Sequence, residues 1–204
     1  MMMEPRIYLA SRSPRRRELL HQIGVRFDLL LFREQPRDDD EVSEDLLPAE
    51  PPLDYVVRVA RAKAAHGAKL MGLRRLPIRP VLAADTTLDI DGSSIGKPRD
   101  DADAEAILSR LSGRSHRVLT AVAVTMGNRL EHVLSVSEVR FRCLGAAEIR
   151  RYVASGEPLD KAGAYGIQGH AAMFIEEIHG SHSGIVGLPL CETALLLRAF
   201  GYPL

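Results

Sequence analysis

Several features that mark particular classes of protein are scarce or missing in this chain. Its 204 residues include no tryptophan and only two cysteines, Cys143 and Cys191, which lie far apart. Two isolated cysteines provide neither a disulfide framework nor a zinc site, and they fit a reducing compartment. No apolar run approaches the length needed to cross a bilayer, so we expect no membrane partner.

The chain also lacks an excess of charge of either sign, with 27 basic and 27 acidic residues. It has only five tyrosines and five phenylalanines and no stripe of interleaved basic and aromatic residues, which argues against a nucleic-acid binder. Met1 to Pro5 has none of the apolar core of a secretory signal. We therefore expect a cytoplasmic protein, with the true start left open by three adjacent methionines.

Apolar residues make up 46% of the chain, which is ample for one large core or two small ones. Helical patterns alternate with strands and hairpins, as is typical of an α/β fold with a mixed sheet. The segment from Arg33 to Pro52 is rich in Asp, Glu and Pro and indicates a loop. Strands are predicted at 7–10, 81–84, 116–125, 130–141 and 172–178, and a turn at 180–184. Helices are predicted from Pro14, from Leu53, after Asp100 or Asp101, from Ala146 and from Pro189.

The stretch from Val81 to Pro98 organises the predicted site. It opens with a short apolar run, which indicates a buried strand that ends on Asp85, and Asp91-Gly92 is a strong signal for a two-residue hairpin turn. Such a turn would place Lys97 opposite Thr86 and therefore beside Asp85. The carboxylate and the ammonium fit either a functional pair or a salt-bridged hairpin base, and these residues alone favour neither.

A second candidate site follows the first predicted strand. Ser13 is a suitable N-cap, and Pro14 suits the first position of the helix that follows. The free N–H groups of a helix start favour an anion, whereas Arg15 and Arg16 in the first turn would oppose the helix dipole if they were only structural. The pattern favours phosphate binding over a solvated basic face.

Two further stretches carry polar residues in unusual positions. Lys63 falls on the predicted buried face of the helix over 53–70. The side chain of a lysine at such a position is expected to extend past the edge of the core in preference to pointing into a cleft. The glycine-rich run 156–169 favours a loop that approaches a ligand closely over a plain surface loop. We expect Leu159, Tyr165 and Ile167 to anchor it. His179 and His182 have no third ligand nearby and are interpreted as incidental.

Together these stretches resemble the Maf family of nucleoside triphosphate pyrophosphatases over nearly the whole chain. The resemblance rests on Leu9 to Arg16, Arg61 to Ala64, Ala84 to Thr86, Gly96 to Pro98, Leu111 to Gly113, Asp160 to Gly169 and Val186 to Leu190. It implies one α/β domain over 1–204, with a long twisted mixed sheet and a cleft between two lobes, similar to the inosine triphosphatase fold. It also implies a homodimer, which no residue pattern here indicates.

The resemblance further implies hydrolysis of a nucleoside triphosphate to the monophosphate and pyrophosphate, in housecleaning or control of the nucleotide pool. The run from Tyr152 to Gly169 is similar to the branch that acts on dTTP and UTP. The branch that prefers 7-methyl-GTP typically has Glu in place of Gln168. Base choice in the family is associated with the positions of Arg15, Thr86 and Gln168. The Gln168 amide matches the edge of thymine or uracil, although it would also pair with other bases.

The roles of the remaining residues also come from the resemblance. Asp85 would act as general base or position a water through a metal, and Glu44 would share that divalent ion, with Mg²⁺ the first choice and Mn²⁺ or Co²⁺ as alternatives. Residues implied to bind the substrate or its phosphates are Lys63, Lys97, Ser11, Ser13, Arg15, Arg16, Thr86, Asp160, Lys161 and Gln168.

The chain departs from the family pattern at its acidic motif. The usual Val-Asp-Glu is matched best by Val42 to Glu44, with Ser43 in place of Asp, and Glu34 or Glu41 are the alternatives for the acidic residue. A lesser departure is Gly184, where Asn is common. Two other functions are consistent with the sequence: a pyrophosphatase for modified purine nucleotides such as 7-methyl-GTP, and a nucleotide-binding regulator of septum formation that needs no turnover.

Overall fold

The computed structural model describes residues 5–32 and 42–204. Glu34 and Glu41 lie outside the described residues. Across these ranges the backbone forms a seven-stranded sheet with the order β2-β1-β3-β5-β6-β7, and β4 pairs with β3. The strands are β1 (Ile7–Leu9), β2 (Phe27–Leu29), β3 (Val81–Ile90), β4 (Ser93–Ile95), β5 (Ser115–Met126), β6 (Arg129–Phe141) and β7 (Ile175–His179). Strand β1 is parallel to β2 and β3, whereas the pairs among β3 to β7 are antiparallel. The predicted mixed α/β class is confirmed.

Six α-helices and three short 3₁₀ turns surround this sheet in the described ranges. The helices are α1 (Pro14–Gln22), α2 (Pro52–Leu73), α3 (Asp101–Leu111), α4 (Ala146–Val153), α5 (His182–Val186) and α6 (Leu190–Ala199), and the turns are Glu157–Asp160, Ala162–Ala164 and His170–Phe174. Two predicted N-caps are confirmed: Ser13 Oγ accepts from the N–H of Arg16 at 3.4 Å, and Asp100 Oδ1 accepts from that of Asp103 at 2.8 Å. None of the helices in the described part of the chain is long and apolar enough to cross a membrane.

The central hairpin has the predicted turn but a shorter ladder than predicted. Asp91 and Gly92 have φ values of 55° and 77°, which suit a two-residue hairpin turn. Strand β4 ends at Ile95, so the expected pair between Thr86 and Lys97 does not form. The backbone turns away because the carbonyl of Gly96 accepts from the N–H of Gly163 at 2.9 Å instead of from β3.

The C-terminal third differs from the predicted elements in three places. Strand β7 begins at Ile175 rather than Ala172, because residues 170–174 form a 3₁₀ turn. The predicted turn at 180–184 is largely the short helix α5, whose N–H of Gly184 is capped by Ser181 Oγ at 3.0 Å. Leu159 is 41% exposed and does not anchor its loop.

Strand β3 contributes to all three clusters of buried apolar residues. Ala83 belongs to the cluster under α2, Ala84 to the cluster with α1 and α6, and Leu88 to the cluster with α3 and α4. Because side chains alternate along a strand, Thr86 lies between Ala84 and Leu88 on one face, and Asp85 follows Ala83 on the face that α2 covers. The two polar residues therefore lie where the clusters meet.

Candidate active site

An ammonium between two carboxylates forms the centre of the candidate site. Lys63 Nζ lies 2.8 Å from Asp85 Oδ1 and 2.9 Å from Glu44 Oε1. Asp85 is 8% exposed, whereas the side chain of Glu44 is 62% exposed. The cluster thus extends from the core to the surface. The helical pattern alone favoured a Lys63 side chain that extends past the edge of the core. In the structure Lys63 instead points to Asp85.

Small residues on α2 allow Lys63 to come this close to β3. Ala64 is fully buried, and a Cβ added at Gly67 would lie 2.8 Å from Val81 Cγ1. Helix α2 therefore packs closely on β3. At this short separation, the side chain of Lys63 reaches Asp85 directly.

Arg16 is partly buried and joins three segments that are distant in sequence. Its Nε donates to the carbonyl of Gly187 at 2.9 Å, and its Nη1 donates to Ser11 Oγ at 3.2 Å and to the carbonyl of Ala84 at 2.8 Å. Its Nη2 donates to Thr86 Oγ1 at 3.2 Å. Burial lowers the pKa of Arg16, and the Asp85 carboxylate opposes that effect. Since a guanidinium has five N–H donors, these four bonds leave one for a ligand.

The hydroxyl of Thr86 has a defined orientation. Thr120 Oγ1 donates to the carbonyl of Gly184 at 2.8 Å, and its 3.0 Å contact with Thr86 Oγ1 must therefore use the Thr86 proton. Thr86 also accepts from Arg16. The hydroxyl consequently has one lone pair left and can act only as an acceptor towards a ligand.

The start of α1 meets the loop after α4 through charged side chains. Asp160 Oδ2 lies 3.9 Å from Arg15 Nη1, and its Oδ1 accepts from Lys161 Nζ at 2.6 Å. Ser11 Oγ accepts from the N–H of Ser13 at 3.3 Å, which leaves its proton for a ligand. The structure thus brings together the predicted residues of α1 and two of those in the loop.

Lys97 and Gln168 are exposed, and neither forms a hydrogen bond or ion pair with another residue in the described ranges. The loop that carries Gln168 is nevertheless held firmly by Glu157. Its Oε1 accepts from Tyr152 Oη at 2.9 Å and its Oε2 from the N–H of His170 at 3.0 Å. A Cβ added at Gly169 would lie 2.1 Å from Glu157 Oε1. The sequence offered no motif for this role of Glu157.

Two carboxylates that converge on one point suit a hard divalent ion. Glu44 and Asp85 both lie within 3 Å of Lys63 Nζ, and Mg²⁺ commonly binds one or two carboxylates and takes its other ligands from water and phosphate. Within the described residues no three of His, Cys, Asp and Glu form a metal-binding group. The pair of carboxylates therefore fits an ion that is shared with a phosphorylated ligand.

Tyr55 is a further residue of the site that sequence analysis missed. Its Oη donates to the backbone carbonyl of Glu44 at 3.0 Å. Burial, reinforced by Asp85 and Glu44, raises the pKa of Tyr55 to about 12. The phenol thus stays a donor at neutral pH. Tyr55 lies three residues before Arg58 on α2, so both polar side chains lie at the edge of the buried face. This spacing was the feature of the sequence that could have indicated a role for Tyr55.

Comparison with known proteins agrees with this arrangement of motifs. Residues 6–200 match the family model described as Maf-like protein. A curated dTTP/UTP pyrophosphatase of Dechloromonas aromatica (strain RCB) is 60% identical over 197 residues, which cover 97% of this chain and 98% of the relative. A protein of the same name from Aromatoleum aromaticum (strain DSM 19018 / LMG 30748 / EbN1) is 62% identical over 202 residues, 98% of each chain.

A solved structure, that of the Staphylococcus aureus Ham1 protein, shares the fold with a TM-score of 0.50 and 15% sequence identity, and the match covers 96% of this chain and 97% of that one. The likeness concerns the fold alone. The motifs, the full-length family match and the high identity to curated relatives lead to one conclusion: the chain belongs to the Maf family.

Proposed function

We propose that this protein hydrolyses nucleoside triphosphates, dTTP and UTP foremost, to the monophosphate and pyrophosphate. Relatives that are 60% and 62% identical over nearly the full length carry the name dTTP/UTP pyrophosphatase. The observation that carries the proposal is the buried Asp85, which is paired with Lys63 and lies beside the Arg16–Thr86 connection to the start of α1.

Asp85 is the general base of the proposed reaction. Its Oδ1 accepts from Lys63, and its Oδ2 accepts no hydrogen bond from the residues described. Oδ2 can therefore receive the proton of a water that attacks the α-phosphorus. The bond from that phosphorus to the bridging oxygen breaks, and pyrophosphate leaves. Lys63 orients the carboxylate through the 2.8 Å contact.

The triphosphate binds between the start of α1 and the loop after α4. Backbone N–H groups of α1 and the hydroxyls of Ser11 and Ser13 provide donors for phosphate oxygens. Arg15 and Lys161 are oriented by Asp160, which lies between them, and Lys97 adds an exposed cation. Arg16 contributes its one remaining N–H and otherwise holds Thr86 in place.

Thr86 and Gln168, with Arg15, select the base. The acceptor-only hydroxyl of Thr86 suits an N–H or O–H donor of the nucleoside, and the amide of Gln168 offers both a donor and an acceptor. Replacement of Gln168 by Glu removes the amide donor, so Gln168→Glu is expected to change the order of preference among nucleotides. An unchanged ratio of kcat/KM between dTTP and UTP on one side and other triphosphates on the other would reject this assignment.

A divalent ion, Mg²⁺ first with Mn²⁺ or Co²⁺ as alternatives, would be held by Asp85 and Glu44 together with phosphate oxygens. When bound, such an ion neutralises phosphate charge and polarises the bond to be broken. The converging carboxylates support this assignment, and Glu44 is the acidic residue of the family motif in this proposal.

We further propose a single domain over 1–204, a cytoplasmic location and a homodimer. The participation of β3 in all three apolar clusters supports one domain, and the two exposed free cysteines suit a reducing compartment. Light scattering after size exclusion tests the homodimer. A mass of one chain would reject it.

A nucleotide panel scored for pyrophosphate against orthophosphate tests the function. Pyrophosphate and monophosphate from dTTP and UTP are expected in equal amounts. A preference for 7-methyl-GTP would favour the modified-purine alternative, and orthophosphate as the product would reject a pyrophosphatase. Nucleotide binding without any product would instead favour a regulator.

A further inference from the structure

One arginine of α2 binds the backbone on both sides of Glu44. Arg58 Nη1 donates to the carbonyl of Ser43 at 3.2 Å, and Arg58 Nη2 donates to that of Asp45 at 2.9 Å. These two carbonyls flank Glu44 on either side. With the bond from Tyr55 to the carbonyl of Glu44 itself, three consecutive carbonyls are bound by side chains of α2.

A buried carboxylate fixes the orientation of this arginine. Glu50 Oε1 accepts from Arg58 Nε at 2.6 Å, and Glu50 Oε2 accepts from Arg58 Nη2 at 2.8 Å. The side chain of Glu50 is only 8% exposed, and its Oε2 also accepts from the N–H of Leu47 at 3.2 Å. A bidentate pair of this kind defines the plane of the guanidinium, so its remaining donors point in fixed directions.

Apart from these bonds and the ion pair between Glu44 and Lys63, little determines where Glu44 lies. Residues 42–51 contain no helix or strand, and the two leucines of the segment, Leu46 and Leu47, are 54% and 51% exposed. Burial of apolar side chains therefore contributes little to holding the segment. Polar contacts with α2 determine its place.

We propose that Arg58 is a positioning residue that keeps Glu44 beside Lys63 and Asp85 without touching the substrate. The proposal rests on the proposed function for its kinetic consequences, since Glu44 matters there as a ligand-binding carboxylate. Its structural consequence, the anchoring of residues 43–47, does not depend on what the protein hydrolyses.

The chain offers a matched control for this arginine. Arg142 also forms a bidentate pair, with Glu148, and also donates to two backbone carbonyls, those of Cys143 and Met173. It lies outside the site described above. Arg142→Gln therefore removes the same kinds of bond as Arg58→Gln, and it should leave kcat/KM for dTTP within about twofold of the parent.

A double-mutant cycle tests whether Arg58 affects turnover by positioning Glu44. Arg58→Gln is expected to lower kcat/KM for dTTP by at least about tenfold. Arg58→Lys keeps the positive charge but loses the paired N–H donors of the guanidinium, and it is expected to lower kcat/KM by a similar factor. In a Glu44→Gln background, the same Arg58 changes should have no further effect. Additive losses, or equal losses in Arg142→Gln, would overturn the proposal.

Hydrogen exchange of the intact protein provides the structural readout. Backbone amides of 43–47 should exchange at least about tenfold faster in Arg58→Lys and Arg58→Gln than in the parent, with α2 unchanged. Unchanged exchange in these amides would reject the anchoring role, even for a protein that turns over no dTTP. If Arg58→Gln does not fold, Arg58→Lys decides the question. Loss of turnover in the parent would refute only the proposed function.

Discussion

Two buried aspartates of β3, Asp85 and Asp89, have different roles because their neighbouring groups differ. Asp89 is 2% exposed; its Oδ1 accepts from the N–H of Gly92 at 2.9 Å, and its Oδ2 accepts from Arg117. One oxygen thus serves the hairpin turn, and the other binds Arg117 of the neighbouring strand β5. Asp85, four residues earlier, has one oxygen paired with Lys63 and the other available to a ligand.

This difference predicts opposite effects of the same substitution. Asp85→Asn should lower kcat for dTTP and UTP by about a thousandfold or more, because the amide cannot accept a proton, while the protein stays folded since Lys63 keeps its ion pair with Glu44. Asp89→Asn should retain kcat and destabilise the fold by about 1–3 kcal/mol through the loss of a charge-assisted pair. Steady-state kinetics and thermal unfolding of both variants provide the measurement. Unimpaired turnover in Asp85→Asn would refute its role.

A buried histidine predicts that the protein loses stability in acid. His116 is 2% exposed, its Nε2 lies 2.8 Å from Tyr165 Oη, and burial lowers its pKa from 6.5 to about 4. Between these values the unfolded chain binds the proton and the folded chain does not. Stability from the neutral form is therefore complete above about pH 6.5 and is lost as the pH falls towards 4.

His116→Gln should flatten this dependence, since glutamine keeps a polar partner for Tyr165 and does not titrate. The melting temperature of the parent is expected to fall more steeply than that of the variant between pH 6.5 and 4. Parallel curves for the two proteins would show that His116 does not cause the acid sensitivity.

Among the elements, the loop 156–169 ends on a glycine that leaves little room for a side chain. Since a Cβ at Gly169 would lie 2.1 Å from Glu157 Oε1, Gly169→Ala must displace the carboxylate or the backbone beside Gln168. We expect the preference for dTTP and UTP over other triphosphates to shrink by about tenfold while the product remains pyrophosphate. Gly72→Ala is the control, because an added Cβ there meets no atom within 4 Å. An unchanged preference in Gly169→Ala would argue that the loop does not position the base reader.

Local signals predicted some elements well. The cap at Ser13, the cap at Asp100 and the turn at Asp91-Gly92 each depend on a few adjacent residues, and all three are confirmed. The short helix after Ser181 was predicted as a turn, because Gly180 and Gly184 on either side of its N-cap favour a turn. Ser181 caps its start locally, and a tertiary contact, the bond from Thr120 to the carbonyl of Gly184 in the middle of the helix, also holds it.

Long-range contacts explain what the sequence could not show about the site. The periodicity of α2 placed Lys63 on the correct face, yet only the fold shows that it meets Asp85. Arg16 and Gly187 are 171 positions apart and share a hydrogen bond, which no local pattern encodes. The role of Arg58 likewise depends on a segment without regular structure.

For the molecule as a whole, the candidate site lies where distant parts of the chain converge on β3. Arg16 of α1 contacts Thr86 and Lys63 of α2 contacts Asp85, and Arg15 connects the start of α1 to Asp160 in the loop after α4, although the chain carries no net charge. This concentration of positive groups at a junction of three apolar clusters suits a polyanionic substrate. The proposed mechanism requires water to attack the triphosphate at its α-phosphorus.

Hydrolysis of dTTP in ¹⁸O-labelled water with Mg²⁺ tests this claim most directly, with the products separated and analysed by mass spectrometry. Attack at the α-phosphorus predicts one labelled oxygen in the thymidine monophosphate and none in the pyrophosphate. Label in pyrophosphate or in orthophosphate would place the attack at another phosphorus and would contradict the mechanism built around Asp85.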